Sequence, residues 1–389
     1  MSPLARAEPL LEAARRRTRL SDFGPAPLHA GLEVLLESLG REAALHAAGE
    51  ALVEADLLRL LENRLAIQAV LDRHPEITAR RIERPLVIVG LPRTGSSILH
   101  ELLAVDPENR TPATWEVKFP CPPPETASAE HDPRIAVMDA ELSAMDEAIP
   151  AFKKMHPQGA RLPQECLNVT THAFASIFWS VSHDVPTYQT WLDACDHAPI
   201  YRLHHDLLRL LHWRRKPERW VLKSSSHLWT LDALLDAYPD ACVVQTHRDP
   251  LKVLASFTSL VSTLRRLYSG RAEPGRIGPQ QAGFLAEGLA CAVRFRDRGR
   301  LPPEQVYDLQ FRDFIADPIE RIRDLYRHFG RTLSAEASER MRRYLAAHPG
   351  DQYGPHRYRF ADTSLDPSVE RRRFADYQDR FAIAPEPVT

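Results

Sequence analysis

The chain has 389 residues, 44% hydrophobic and 26% charged, which is ordinary globular usage; a disordered or collagen-like chain is excluded, and one large domain or two fused ones are expected. Fifty Lys and Arg against 52 Asp and Glu leave a formal charge of −2, so there is no global basic field to grip nucleic acid and any phosphate chemistry is local. The five cysteines are odd in number, widely spaced and without a CxxC pair, which argues against a disulfide framework or a thiolate zinc site and fits the reducing cytoplasm. No apolar run reaches the roughly 18 residues of a membrane span, and the apolar run near the N-terminus is too short for a signal peptide, so neither a membrane partner nor secretion is expected.

In chain order, Leu28, Leu32, Leu35 and Leu39 recur at helical spacing, as do Val53, Leu57, Leu61 and Leu65, until His74–Pro75 stops the pattern. Residues 1–80 are therefore expected to form a helical N-terminal extension. At Pro85-Leu-Val-Ile-Val-Gly90 the pattern changes to a short continuous apolar run of the kind buried on both faces in a parallel sheet. Ile98, Leu99, Leu102 and Leu103 make the following segment a helix, closed by Asp106–Pro107. The stretch from Thr111 to Pro163, with the proline-rich Pro120–Pro124, is expected to be a long excursion over the sheet edge, regular only near Ile135–Ala148. Further strands are predicted at Trp220–Leu222, Cys242–Val244 and Val306–Leu309, separated by helical patterns such as Leu231–Ala237 and Leu251–Leu264. This alternation implies an α/β fold, with residues 81–389 as a P-loop-type domain whose central, largely parallel sheet is flanked by helices.

Gly90-Leu-Pro-Arg-Thr-Gly-Ser-Ser97 lies between a predicted strand and a predicted helix, where backbone N–H groups and the positive helix end make a site for an anion. Gly90 and Gly95 have Walker A spacing, but Ser96 stands where the obligatory lysine belongs and the basic residue is Arg93, inside the loop. Neither Lys223 nor Thr246, which follow the apolar cores of two later strands, is the Asp that holds magnesium in phosphoryl-transfer enzymes. In a second block, Asp249 and Pro250 suit a helix start, so Arg248 is expected at the carboxyl end of a strand, where open α/β sheets bind ligands. Lys252 and Ser256 share one face of that helix, opposite an apolar stripe of Val253, Phe257, Leu260 and Leu264.

These blocks resemble the PAPS-dependent sulfotransferases, in particular the large bacterial branch related to tyrosylprotein sulfotransferases. Pro92-Arg93-Thr94-Gly95-Ser96-Ser97 is similar to the family's 5′-phosphosulfate loop, and Arg248 with Ser256 eight residues later looks like the block that recognises the donor's 3′-phosphate. The resemblance runs from about Pro75 onward and includes Trp115–Glu116, Lys223 to His227 and the Tyr358 region. It implies transfer of a sulfuryl group from PAPS (3′-phosphoadenosine 5′-phosphosulfate) to a hydroxyl of a small molecule or peptide, with release of PAP and no metal. Arg93, Thr94, Gly95, Ser96, Ser97, Arg248, Ser256 and Arg357 are the implied donor contacts, and Arg93 and Lys223 the cations that stabilise the leaving phosphate. For the base, cytosolic members carry a histidine where Ser225 stands here, and His227 comes two residues late; Glu116 is similar in placement to the glutamate of the tyrosylprotein branch and is the expected base, with His227 in a positioning role. Phe174, Phe178 and Trp179 are expected to wall the acceptor pocket. The alternatives are a small-molecule kinase with a degenerate phosphate loop and a non-catalytic nucleotide-binding relative.

Overall fold

Five short strands form one parallel sheet, in the order β2-β3-β1-β4-β5, in the computed structural model, which describes residues 4, 6–25, 28–216, 218–350 and 352–388. The strands are β1 (Leu86–Gly90), β2 (Asn109–Arg110), β3 (Arg219–Lys223), β4 (Cys242–His247) and β5 (Val306–Gln310). β1 is central and buried along its whole length; it pairs with β4 from Leu86↔Cys242 to Gly90↔Thr246 and with β3 from Leu86↔Val221 to Ile88↔Lys223. The predicted strands all appear, lengthened by up to three residues where the ladder continues past the apolar run. β2 was not foreseen, because a two-residue polar edge strand has no periodicity to read; it is defined only by pairing Asn109 and Arg110 with Arg219 and Trp220.

Burial on both sides explains the unbroken apolar runs, since alternate residues enter different cores. Val87, Val89, Leu222 and Val243 pack on helices Ala198–His212, Leu231–Ala237, Pro250–Arg265 and Pro274–Asp297. Leu86, Ile88, Val221 and Val244 pack with Leu99, Leu102, Ile322 and Tyr326 on the opposite side. A third core joins helices α1 (Ala7–Thr18), α2 (Leu28–Arg41) and α3 (Ala47–Arg73) to residues 173–200. α1 lies within the expected helical extension, ahead of the leucine patterns read there. The excursion across 111–163 contains helices Thr114–Lys118, Pro133–Ala148 and Pro150–Met155. Helix α4 (Ser96–Ala104) follows the glycine-containing loop. Among the described residues no helix is long and apolar enough to cross a membrane.

Six histidines are buried among the described residues, including His100, His172, His183 and His227. Burial pushes His172, His183 and His227 down to about 4 and His100 to about 3, so these four are neutral in the folded protein at neutral pH. In the unfolded chain they protonate near 6.5, so between about pH 6.5 and 4 the unfolded state binds more protons than the folded one. Stability is therefore expected to fall as pH falls through that window, by up to about 1.4 kcal/mol per pH unit for each histidine. Thermal melts across the window check this: a melting temperature that stays level as the buffer is acidified contradicts it.

Candidate active site

Strand β1 ends at Gly90, whose φ of +136° is open to glycine and where a Cβ would lie 2.3 Å from Thr246 Oγ1 on β4. The chain turns through Arg93 (φ 66°) and Gly95 (φ 82°) into α4, so the unpaired N–H groups of the first turn lie at the carboxyl end of the sheet. Thr94 does not face this space: its hydroxyl donates to Leu91 O at 2.6 Å and lies 2.6 Å from Thr246 Oγ1, which holds the shape of the loop. Arg93, Ser96 and Ser97 do line the cavity described below.

Lys223 ends β3 beside this loop and is 5% exposed. Its Nζ donates to Ser97 Oγ at 3.2 Å and is ion-paired with Glu165, the residue that enters helix Cys166–Thr170. Burial works against the Glu165 charge, but Lys223 and then His156 outweigh it and hold the carboxyl below its usual range. His156, at the end of helix Pro150–Met155, lines the same space; burial, then the Lys223 charge, push it down to about 4, so at neutral pH its ring is neutral. Lys223 therefore sits between a hydroxyl of the anion loop and an ionised carboxylate.

On the other side of the loop, Arg248 follows β4, and Asp249 caps helix Pro250–Arg265 by accepting Leu251 N–H at 3.0 Å. Arg248 Nη1 donates to the Arg93 carbonyl at 3.0 Å, and its guanidinium lies 3.9 Å above the Phe311 ring. Its remaining nitrogens grip the Glu386 carboxylate, Nε at 2.8 Å and Nη2 at 2.9 Å. Ser256 Oγ accepts from Arg93 Nε at 3.2 Å, so Arg93, Arg248 and Ser256 are brought together. Arg357 is not brought in: it is exposed on the irregular segment 354–359, although neighbouring Tyr358 lies under Lys252, with Nζ 5.4 Å from the ring centroid.

A cavity of about 320 Å³ opens above Lys223 and the loop. Its wall is mostly apolar: Leu60 of α3, Leu142 and Met145 of helix Pro133–Ala148, Phe178 and Trp179, and Phe257, Leu260 and Leu264 of helix Pro250–Arg265. Four charged side chains in the wall are paired with one another, Arg59 with Glu141 at 2.7 Å and Lys118 with Asp56 at 3.0 Å. Phe178 and Trp179 line the cavity as expected from sequence. Phe174 does not; it is fully buried in the core against α2, with its carbonyl accepting from Tyr188 OH at 3.0 Å.

Neither of the two sequence candidates for the base lines this cavity. Glu116 is 2% exposed, lies outside the cavity lining, and has both oxygens engaged: Arg110 Nη2 donates to them at 3.1 and 3.2 Å, and Ala113 N–H to Oε2 at 3.1 Å. As the third residue of helix Thr114–Lys118 it folds back on its own helix start, which is what a glutamate at that position does. His227 is also outside the lining; its Nδ1 lies 2.7 Å from Tyr201 OH within the core, and burial keeps it neutral. The cavity instead contains Glu165 and His156, both missed from sequence. They lie at or just beyond the end of the irregular excursion, where no spacing pattern separates one acid or histidine from another.

The model of the sulfotransferase family matches residues 85–335. Two crystal structures are similar over nearly the whole chain: sulfotransferase STF1 from Mycobacterium tuberculosis, 32% identical with a TM-score of 0.85 over 97% of this chain and 100% of that one, and sulfotransferase STF9 from Mycobacterium avium, 27% identical with a TM-score of 0.90 over 99% of each. The proteins named omega-hydroxy-beta-dihydromenaquinone-9 sulfotransferase Stf3, from M. tuberculosis and Mycobacterium bovis, are 28% identical over 309 residues, 75% of this chain and 72% of theirs.

Proposed function

The chain belongs to the sulfotransferase family, and we propose that it transfers a sulfuryl group from PAPS to the hydroxyl of an apolar small molecule, with Glu165 as the base and Lys223 as the cation at the leaving oxygen. The observation that carries this reading is the Lys223–Glu165 pair at the junction of an anion loop and an apolar cavity. The first-turn amides of α4, Ser96, Ser97 and Arg93 suit the 5′-phosphosulfate, and Arg248 with Ser256 suits the 3′-phosphate. The acceptor oxygen forms a bond to sulfur while the bond from sulfur to the 5′-phosphate oxygen breaks; the hydroxyl proton passes to Glu165 and PAP departs. Charge grows on the bridging oxygen as that bond breaks, and Lys223, leaving Glu165 for it, neutralises the charge and frees the carboxylate for the proton.

The apolar wall, with four of its charges already paired, favours a lipophilic alcohol over a charged peptide, and the name of the Stf3 relatives, a sulfotransferase of a hydroxylated menaquinone, supports the same class. The N-terminal helices then belong to acceptor binding, since α3 supplies Leu60 and Asn63 to the wall. The kinase alternative is disfavoured by Ser96 at the lysine position of the loop.

Calorimetric binding of PAP against 5′-AMP tests the donor assignment. The parent protein is expected to prefer PAP, and Arg248→Ala to weaken PAP by about tenfold to a hundredfold, close to the affinity of 5′-AMP, because it removes a charge-assisted fork worth about 1.5 to 3 kcal/mol. An Arg248→Ala protein that retains the preference for PAP overturns the assignment. Turnover is tested by incubation with PAPS and a series of lipophilic alcohols, with PAP release as the readout.

A further inference from the structure

Beyond Ile383, the last buried residue among those described, the chain runs back across the start of helix Pro250–Arg265. Three contacts seat it there. Glu386 N–H donates to Asp249 Oδ2 at 2.6 Å, Lys252 Nζ donates to the Pro387 carbonyl at 3.1 Å, and the Glu386 carboxylate takes both outer nitrogens of Arg248. The third Arg248 nitrogen, Nη1, is held by the Arg93 carbonyl, so every nitrogen of this side chain already makes one hydrogen bond within the protein. The pair is only partly buried, with Arg248 16% and Glu386 29% exposed, and none of residues 384–388 is fully buried.

We infer that the Glu386 carboxylate is an internal stand-in for the 3′-phosphate, which the donor must displace before Arg248 can bind it. The inference rests on the reading of Arg248 as the 3′-phosphate subsite. A planar carboxylate on a guanidinium fork presents two anionic oxygens in the geometry a phosphate would use. The two cannot share Arg248, because a phosphate dianion at hydrogen-bond distance would face the carboxylate with like charge. The tail has few anchors to lose, since among the described residues no buried one follows Ile383 and its packing on the core is through the partly buried Val388. PAPS and PAP both carry the 3′-phosphate, so the apparent affinity for each is reduced by the fraction of molecules whose tail is closed. The device thereby favours release of PAP after transfer and keeps Arg248 paired in the empty site.

The test compares PAP and 5′-AMP on the parent, Glu386→Gln and Glu386→Ala by calorimetry, with amide hydrogen exchange at Glu386 as a second readout. Both variants are expected to bind PAP about threefold to tenfold tighter, since the competing ion pair is gone, and to bind 5′-AMP as the parent does. PAP, but not 5′-AMP, is expected to remove the protection of the Glu386 amide. Unchanged PAP affinity in both variants, equal tightening of both nucleotides, or a Glu386 amide that stays protected in the PAP complex overturns the inference. Arg248→Ala separates the two levels: if it leaves the PAP preference intact, the subsite reading fails and the tail inference fails with it. If it abolishes the preference while the Glu386 variants change nothing, only the tail inference fails.

Discussion

Glu165→Gln is expected to lower turnover by about a hundredfold or more while PAP binding is preserved. Glutamine keeps the shape of the side chain and can still accept a hydrogen bond from Lys223 Nζ, but it cannot take the acceptor proton. The pH dependence gives a second signature. In the empty site Lys223 holds the Glu165 carboxyl low, so the base stays ionised below the usual carboxylate range and the acid limb of kcat/KM lies correspondingly low. Once Lys223 has moved to the bridging oxygen, burial acts on Glu165 with less opposition and its pKa rises. The acid limb of kcat is therefore expected above that of kcat/KM in the parent, and Glu165→Gln should lose both. Steady-state kinetics across pH with saturating donor measure this. If Glu165→Gln keeps most of its turnover while His156→Gln abolishes it, the proton goes to the imidazole instead.

Lys223→Met is expected to cost about a hundredfold to a thousandfold in kcat, the loss associated with removing one group that stabilises charge developing in the transition state. Methionine fills much of the same buried volume, so the strand end should remain folded, and thermal melting verifies that. The variant has a further consequence for Glu165. Without its cation the carboxylate is left in a buried position, and burial then raises its pKa, so the residual activity should show an acid limb at higher pH than the parent. Because both side chains act in one step, the double variant Lys223→Met/Glu165→Gln should lose far less than the product of the two single losses. Multiplicative losses would show that the two residues do not work together.

The strands were legible in sequence because a parallel strand buried on both faces has to be apolar without interruption, as Leu86–Val89 and Cys242–Val244 are. The anion loop was legible for a related reason. Gly90 and Gly95 mark backbone turns that other residues resist, and the hydroxyls and Arg93 between strand and helix have few other uses there. Asp249 and Pro250 likewise announce a helix start, which puts Arg248 at a strand end by local chemistry alone.

The sequence by itself determined the parallel α/β core, the anion loop and the cations that face it, because each depends on backbone conformation or on burial over a few neighbouring residues. Only the tertiary structure decided which carboxylate stands beside the loop and the cavity. Glu116 and Glu165 are chemically identical in sequence, and what separates them is that Arg110, six residues away from one, takes Glu116 into a closed pair, whereas the irregular excursion returns to set Glu165 against Lys223, 58 positions further along. The same holds for the apolar cavity, whose wall joins α3 to helices distant in the chain, and for Glu386, which meets Arg248 across 138 positions. A buried charge needs a partner in space, and no local periodicity encodes a partner that distant.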